Sequence, residues 1–233
     1  MMKIAIKGAI VRNDDKEIYD WCGLEATCPN DVAKELERAD GEDLEIEINS
    51  GGGDVYSGSE IYTMLKNYTG KTVVKIVGIA ASAASVIAMA GKTTLMSPTA
   101  QIMVHNVWSY VQGDYKQLEH EARTLKGHNI SIANAYMLKT GKTQKELLKL
   151  MDETTYLNAQ EALKQGFVDE IMFDEDSRLV ASVSDMCVLP KEVINKVRNQ
   201  LKNQQKESNQ KRDQEEKQLY KAKLNFLKLK GGY

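Results

Sequence analysis

Leu44-Glu45-Ile46-Glu47-Ile48-Asn49-Ser50-Gly51-Gly52-Gly53-Asp54 is the stretch that decides the architecture. Its first five residues alternate apolar and charged, the two-residue period of a strand. Three glycines then free the backbone to turn and to expose N–H groups, an arrangement suited to a phosphate or an oxyanion. A helical run follows over about Val55–Asn67. No Gly-Lys-Ser/Thr closes the glycine run, so a nucleotide P-loop is disfavoured.

The same strand-then-helix rhythm extends in both directions. Towards the N-terminus, Lys3–Val11 and Glu17–Cys22 read as a hairpin around Asn13-Asp14-Asp15, and Pro29-Asn30-Asp31 opens a helix to about Ala39. Towards the C-terminus, Thr72–Val77 is a β-branched strand, and an Ala-rich helix starts near Ser82. Thr93–Met96 and Gln101–Val104 are short strands flanking Pro98, and a long amphipathic helix covers about Tyr115–Lys139. Thr143 with Glu146 and Asn158 with Glu161 have capping-box spacing; Gly166 ends the second of these helices, and Phe167–Met172 is a closing strand. Repeated units of this kind predict an α/β layered domain with crossover connections.

Composition narrows the function classes. Of 233 residues, 42% are apolar and 27% charged, enough to bury a core. With 31 Lys+Arg against 33 Asp+Glu the net charge is −2, which lacks the basic signature of a dedicated nucleic-acid binder. The three cysteines do not make a disulfide scaffold; Cys22 and Cys28 are spaced C-x5-C, with no His at zinc-ligand spacing, and read as buried or idle thiols of a reducing cytoplasm. The N-terminus lacks the apolar core of a signal peptide, and Ile76–Gly91 is too short and too rich in Ala, Ser and Gly for a membrane span. Charge is unevenly spread: 191–233 carry 12 basic and 5 acidic residues, and nothing between Leu201 and Leu219 is apolar. The expected organisation is therefore a domain over 1–180 and a basic, extended or helical tail over 181–233, either an arm that orders on a partner or a frayed end.

Two residues carry a chemical signal together. Ser82, in Gly78-Ile79-Ala80-Ala81-Ser82-Ala83-Ala84-Ser85, stands where a strand gives way to a helix of small residues. There a hydroxyl can face a cleft while helix N–H groups point at developing negative charge; the plainer alternative is a helix N-cap. The Gly-x-Ser-x-Gly elbow is absent. Of the three histidines, His120 and His128 read as solvated positions on the long helix, whereas His105 ends the apolar strand Ile102-Met103-Val104. Ser82 and His105 form a candidate nucleophile and base.

Asn49-Ser50-Gly51-Gly52-Gly53, Gly78-x-Ala80-Ala81-Ser82, Pro98-x-x-x-Ile102-Met103-Val104-His105 and Tyr156-Leu157-Asn158-Ala159-x-Glu161-Ala162-x-x-x-Gly166-Phe167-Val168-Asp169 occur in the order of the ClpP serine peptidases. Over roughly residues 44–172 the chain resembles that family. Asp54, the Ser82–Gly91 helix and the short N-terminus look most like the phage and prophage head maturation proteases; the housekeeping form has Pro where Gly51 stands. The resemblance implies the ClpP/crotonase spiral of strand-strand-helix units and a ring-forming homo-oligomer whose rings meet through the long helix. It implies a peptide or protein substrate, no metal or organic cofactor, and a location in the bacterial host cytoplasm. It makes Ser82 the nucleophile, His105 the general base, Gly52 and Ala83 the oxyanion-hole donors, and Gly52 with Gly53 the edge on which substrate adds as a strand.

The chain departs from the pattern at the third catalytic group. The family's acid falls two residues before the aromatic matched by Tyr156, and Thr154 stands there. Asp152 and Glu153 lie just upstream, and a small shift would bring Asp152 to His105; the alternative is a solvated helix-end acid. Three other readings stay open: a crotonase acting on acyl-CoA, a non-catalytic ring-forming scaffold whose tail grips capsid or other acidic partners, and a housekeeping subunit fed by an AAA+ unfoldase. A Lys/Arg-rich tail is also a candidate for self-trimming.

Overall fold

A computed structural model describes residues 1–173; the tail and the boundary expected near residue 180 lie outside the described residues. The chain runs β1 (Met2–Ile10), α1 (Lys16–Trp21), β2 (Ala26–Thr27), α2 (Pro29–Ala39), β3 (Leu44–Gly53), α3 (Val55–Asn67), β4 (Thr72–Ala81) and α4 (Ala83–Ala88). It continues with β5 (Thr93–Met96), β6 (Gln101–Val104), α5 (Tyr115–Thr140), α6 (Gln144–Asp152), β7 (Thr155–Leu157), α7 (Ala159–Gln165) and β8 (Glu170–Ile171).

The strands form one sheet in the order β2-β1-β3-β4-β5-β8, all parallel, with β6 parallel to β4 and β7 antiparallel to β6. Alternation decides which side chains face inward. Ile4 and Ile6, Leu44, Ile46 and Ile48, and Val74 and Ile76 are all buried against the helices. Charged residues between them stay on the other face, where Glu45 is held between Lys3 (2.9 Å) and Lys75 (2.6 Å). Caps fix the helix starts: Asp54 for α3, Asp114 for α5, Thr143 for α6 and Asn158 for α7 each accept first-turn N–H groups. Asp54, which marks the resemblance to the phage enzymes, is thus locally a cap, its Oδ1 accepting the Ser57 N–H (2.8 Å) and hydroxyl (2.6 Å).

The expected N-terminal hairpin is wrong. Asn13–Asp15 is a turn of 3-10 helix and Glu17–Cys22 belongs largely to α1, stabilised by Lys16 and Asp20 one helical turn apart at 2.5 Å. The physical reason is occupancy of β1. It pairs with β3 along most of its length, and β2 takes its other edge at Ala9 and Ile10, where an antiparallel return strand would have to begin. The glycine run also differs from a free turn, because Gly51–Gly53 continue β3 and Gly53 still pairs with Ile10.

The site is positioned by a fork in β4. Its first half, Val73–Ile76, pairs with β5, and its last three residues, Ile79–Ala81, pair with β6. The β3–β4 register slips between Ile48 and Ser50. There the Asn49 side chain fills the space a Cβ at Gly78 would need (2.3 Å) and accepts the Ile79 N–H (3.2 Å). This irregularity turns the end of β4 towards β6, so that residues 82 and 105 leave neighbouring strands side by side.

Candidate active site

Ser82 follows β4 directly. Its N–H donates to Met103 O (3.0 Å), continuing the Ala81–Met103 pairing and tying residue 82 to the strand that ends immediately before His105. The backbone at Ser82 is unusual, with φ 54° and ψ −126°. A non-glycine residue in that region is strained by about 1–3 kcal/mol and persists only where neighbours enforce it. The hydroxyl makes no capping bond to α4, which sets aside the helix N-cap reading. Instead Ser82 Oγ lies 2.8 Å from His105 Nε2.

His105 is half-buried, and that burial pushes its pKa below the ordinary imidazole value of 6.5. The ring is therefore neutral near pH 7. With the proton on Nδ1, Nε2 is free to accept the serine proton as Oγ attacks a carbonyl.

Gly52 stands against this pair. Its φ is +87°, and a Cβ there would lie 2.7 Å from Ser82 Cβ and 3.0 Å from Ala83 N, so only glycine fits. Its own N–H donates to Ser50 Oγ (3.1 Å), and Ser50 in turn donates to Gly8 O (2.6 Å). Ala83 is the first residue of α4, where backbone N–H groups lack an intrahelical acceptor. Gly53 is glycine for a different reason: a Cβ would meet Ile10 O of β1 at 2.1 Å. A cleft of about 640 Å³ opens in front of the serine, lined by Gly52, Ser82 and His105 from the strand ends and by Trp108, Leu125 and His128 from α5 and the segment before it. His128 is not a freely solvated helix position; its Nε2 is 3.1 Å from the Tyr56 hydroxyl and the two rings meet edge-on at 5.4 Å.

The sequence profile of the Clp protease family matches residues 28–175, which include both ends of the cleft and the whole of the forked sheet beyond β2. The chain belongs to the Clp protease family. It is 28% identical over 164 residues to the ATP-dependent Clp protease proteolytic subunit of Deinococcus radiodurans, covering 68% of this chain and 80% of that one. The corresponding subunit of Porphyromonas gingivalis is 34% identical over 141 residues, covering 59% of this chain and 63% of its own length. Among solved structures, a point mutant of ClpP1 from Listeria monocytogenes superposes with a TM-score of 0.61 and 26% identity, covering 75% of this chain and 92% of that one. The architecture is the mixed α/β ClpP-type fold that the motifs imply.

The candidate third group stands apart from His105. Asp152, the last residue of α6, is exposed, and its Oδ1 accepts the Asn106 side-chain N–H at 2.8 Å. Glu153 pairs with Lys149 at 3.8 Å. Among the described residues the His105 ring has one hydrogen-bond partner, Ser82. The expected shift that would bring Asp152 to His105 is thus not what the structure shows; the carboxylate stops one residue away, at Asn106. β7, a strand too short to be read from sequence, explains the geometry. Val104 pairs with Thr155, the last pair of the β6–β7 ladder, and Thr154 and His105 are the next residues outward on either side. Thr154 has φ +49°, a left-handed conformation unusual for a β-branched residue.

Proposed function

We propose that this chain is a serine endopeptidase in which Ser82 attacks the scissile carbonyl and His105 Nε2 takes the serine proton and returns it to the leaving amine. The contact that carries the reading is the 2.8 Å approach of Ser82 Oγ to His105 Nε2 at the floor of an open cleft. Attack gives a tetrahedral oxyanion, stabilised by the Ala83 N–H at the start of α4 and by the Gly52 N–H, which turns from Ser50 Oγ to substrate oxygen. Collapse gives an acyl-enzyme at Ser82, which water hydrolyses by the same proton path. Substrate backbone adds along the side of Gly52 and Gly53 that β1 does not pair with. Asp152 supports the base at one remove, by holding Asn106 beside it.

The protein acts as a ring-forming homo-oligomer in the host cytoplasm, and its substrates are capsid or scaffold proteins of a phage or prophage. Gly51 in place of proline, Asp54 and the Ser82–Gly91 run support that assignment. A peptidase assay with Ser82→Ala as control tests the chemistry: hydrolysis by the wild type and none by the variant is expected, and undiminished hydrolysis by the variant refutes it. A second reading, a catalytically weak assembly protein, is favoured by the lack of an acid partner on the His105 ring among the described residues and by the engagement of Asp152 with Asn106. Folded, assembled wild-type protein without peptidase activity would select it.

A further inference from the structure

Behind the nucleophile lies a buried polar relay that neither the motifs nor the family pattern assigns. Ser85 Oγ donates to Ser82 O at 2.6 Å, and the Tyr136 hydroxyl lies 2.7 Å from Ser85 Oγ. Ser85 is fully buried and Tyr136 is 1% exposed, packed against Phe167 with ring centres 5.7 Å apart. The direction of the relay follows from counting protons. Ser85 has one hydroxyl hydrogen, and at 2.6 Å it must lie between Ser85 Oγ and the Ser82 carbonyl, because two acceptor oxygens would otherwise face each other. The Tyr136 hydroxyl is then the donor to Ser85 Oγ. Burial drives the phenol pKa upward, so Tyr136 keeps its proton throughout the working range.

The Ser82–Ala83 peptide is the target of this chain of donors. Its carbonyl also accepts the Ser85 N–H (2.9 Å) and the Val86 N–H (3.4 Å), while Ser82 N–H is tied to Met103 O. A trans peptide is planar, with its C=O and N–H pointing in opposite directions. Fixing the Ser82 carbonyl towards the interior therefore aims the Ala83 N–H outward, to the side where an oxyanion forms next to Ser82 Oγ. A hydroxyl donated to that carbonyl also polarises the peptide and strengthens the N–H as a donor.

We infer that Ser85 and Tyr136 are positioning residues for catalysis: through the Ser82 carbonyl they set the direction and strength of the Ala83 N–H as an oxyanion donor. Neither touches substrate. The inference rests on the serine-peptidase reading, because it names what orients one of that reading's oxyanion donors. It also gives the strained Ser82 backbone a restraint on each side, β6 at its N–H and the Ser85–Tyr136 relay at its carbonyl.

The test uses full-length protein, a peptide substrate, a peptide boronic acid as oxyanion analogue, and thermal unfolding. Ser85→Ala is expected to lower kcat about tenfold, the equivalent of about 1.4 kcal/mol for one hydrogen bond, with KM unchanged. Boronate affinity is expected to fall by the same factor. Ser85→Ala also leaves the Tyr136 hydroxyl buried without its partner, so Tm falls. Adding Tyr136→Phe removes that orphan and restores Tm, because losing both partners costs less than losing one. The double variant is expected to stay as slow as Ser85→Ala. Recovery of kcat together with Tm would overturn the inference, since it would make the relay purely structural. An unimpaired kcat in Ser85→Ala, or a loss confined to KM, would overturn it equally. Wild-type protein without any hydrolysis would bring down the peptidase reading itself, whereas an active wild type with an unimpaired Ser85→Ala would bring down this inference alone.

Discussion

Thr154→Asp is expected to make this enzyme faster and more stable at once. Residue 154 is the first past the β6–β7 pairing, as His105 is on the other side, and the His105 ring has no acid partner among the described residues. A carboxylate at that point holds the Nδ1 proton, orients the ring and stabilises the imidazolium that forms as Ser82 attacks. Loss of such an acid in other serine peptidases lowers kcat by about 10⁴. Asp152, held at Asn106, recovers part of that effect, so a gain of about 10²–10³ in kcat is the expected size. Backbone strain changes in the same direction. Thr154 is at φ +49°, where a β-branched side chain is penalised and Asp is better tolerated, a relief of about 1 kcal/mol. For a domain of this size that raises Tm by about 2–4 °C. Thr154→Gly separates the two effects, because it relieves the backbone without adding a carboxylate; its Tm rises and its kcat stays at the wild-type level. The assay is initial-rate peptide hydrolysis across pH on assembled protein, with melting curves for the three forms. Thr154→Asp that is folded, more stable and no faster than Thr154→Gly would refute the placement of residue 154 at the base.

Gly52→Ala sets a Cβ 2.7 Å from Ser82 Cβ and 3.0 Å from Ala83 N at a φ of +87°, so it is expected to abolish hydrolysis and to lower stability by about 1–2 kcal/mol, read from peptidase rate and Tm. Asp152→Ala is expected to lower kcat by about tenfold only, because Asp152 bonds Asn106 and not His105; a loss beyond about 10³ would mean that it reaches the ring directly. Burial depresses the His105 pKa, and the neutral ring is the proposed base, so kcat/KM is expected to rise with pH through a midpoint below 6.5 and to level off above it. The same shift lowers stability in acid: the unfolded chain binds its proton at a higher pH than the folded one, so stability contributed by the neutral ring falls as pH drops through 6.5 towards the folded value.

The approach of Ser82 to His105 was legible because each ends a strand with a clear apolar pattern, and strand ends of a parallel sheet converge on one edge. The glycine constraint was legible in kind, though its causes differ between neighbours: Gly52 makes room at Ser82 and Ala83, Gly53 at Ile10. The false hairpin shows what periodicity lacks. Glu17–Cys22 gives no sign that the end of β1 next to the turn is already paired on both sides, at Ala9 and Ile10, by strands from later in the chain. β7 spans three residues, below the length at which alternation carries information, yet its pairing with β6 is what brings Thr155 against Val104, next to His105. The Ser85–Tyr136 bond joins residues 51 apart in a small-residue helix and a long amphipathic one, where each reads as ordinary core.

The account's central claim is an activated serine at the end of β4. Labelling the full-length protein with a fluorophosphonate, followed by intact and peptide mass spectrometry, tests it most directly. A single adduct on the peptide containing Ser82, absent from Ser82→Ala and slowed as His105 is protonated, is the predicted result. No adduct on folded protein, or an adduct that survives Ser82→Ala, would contradict it.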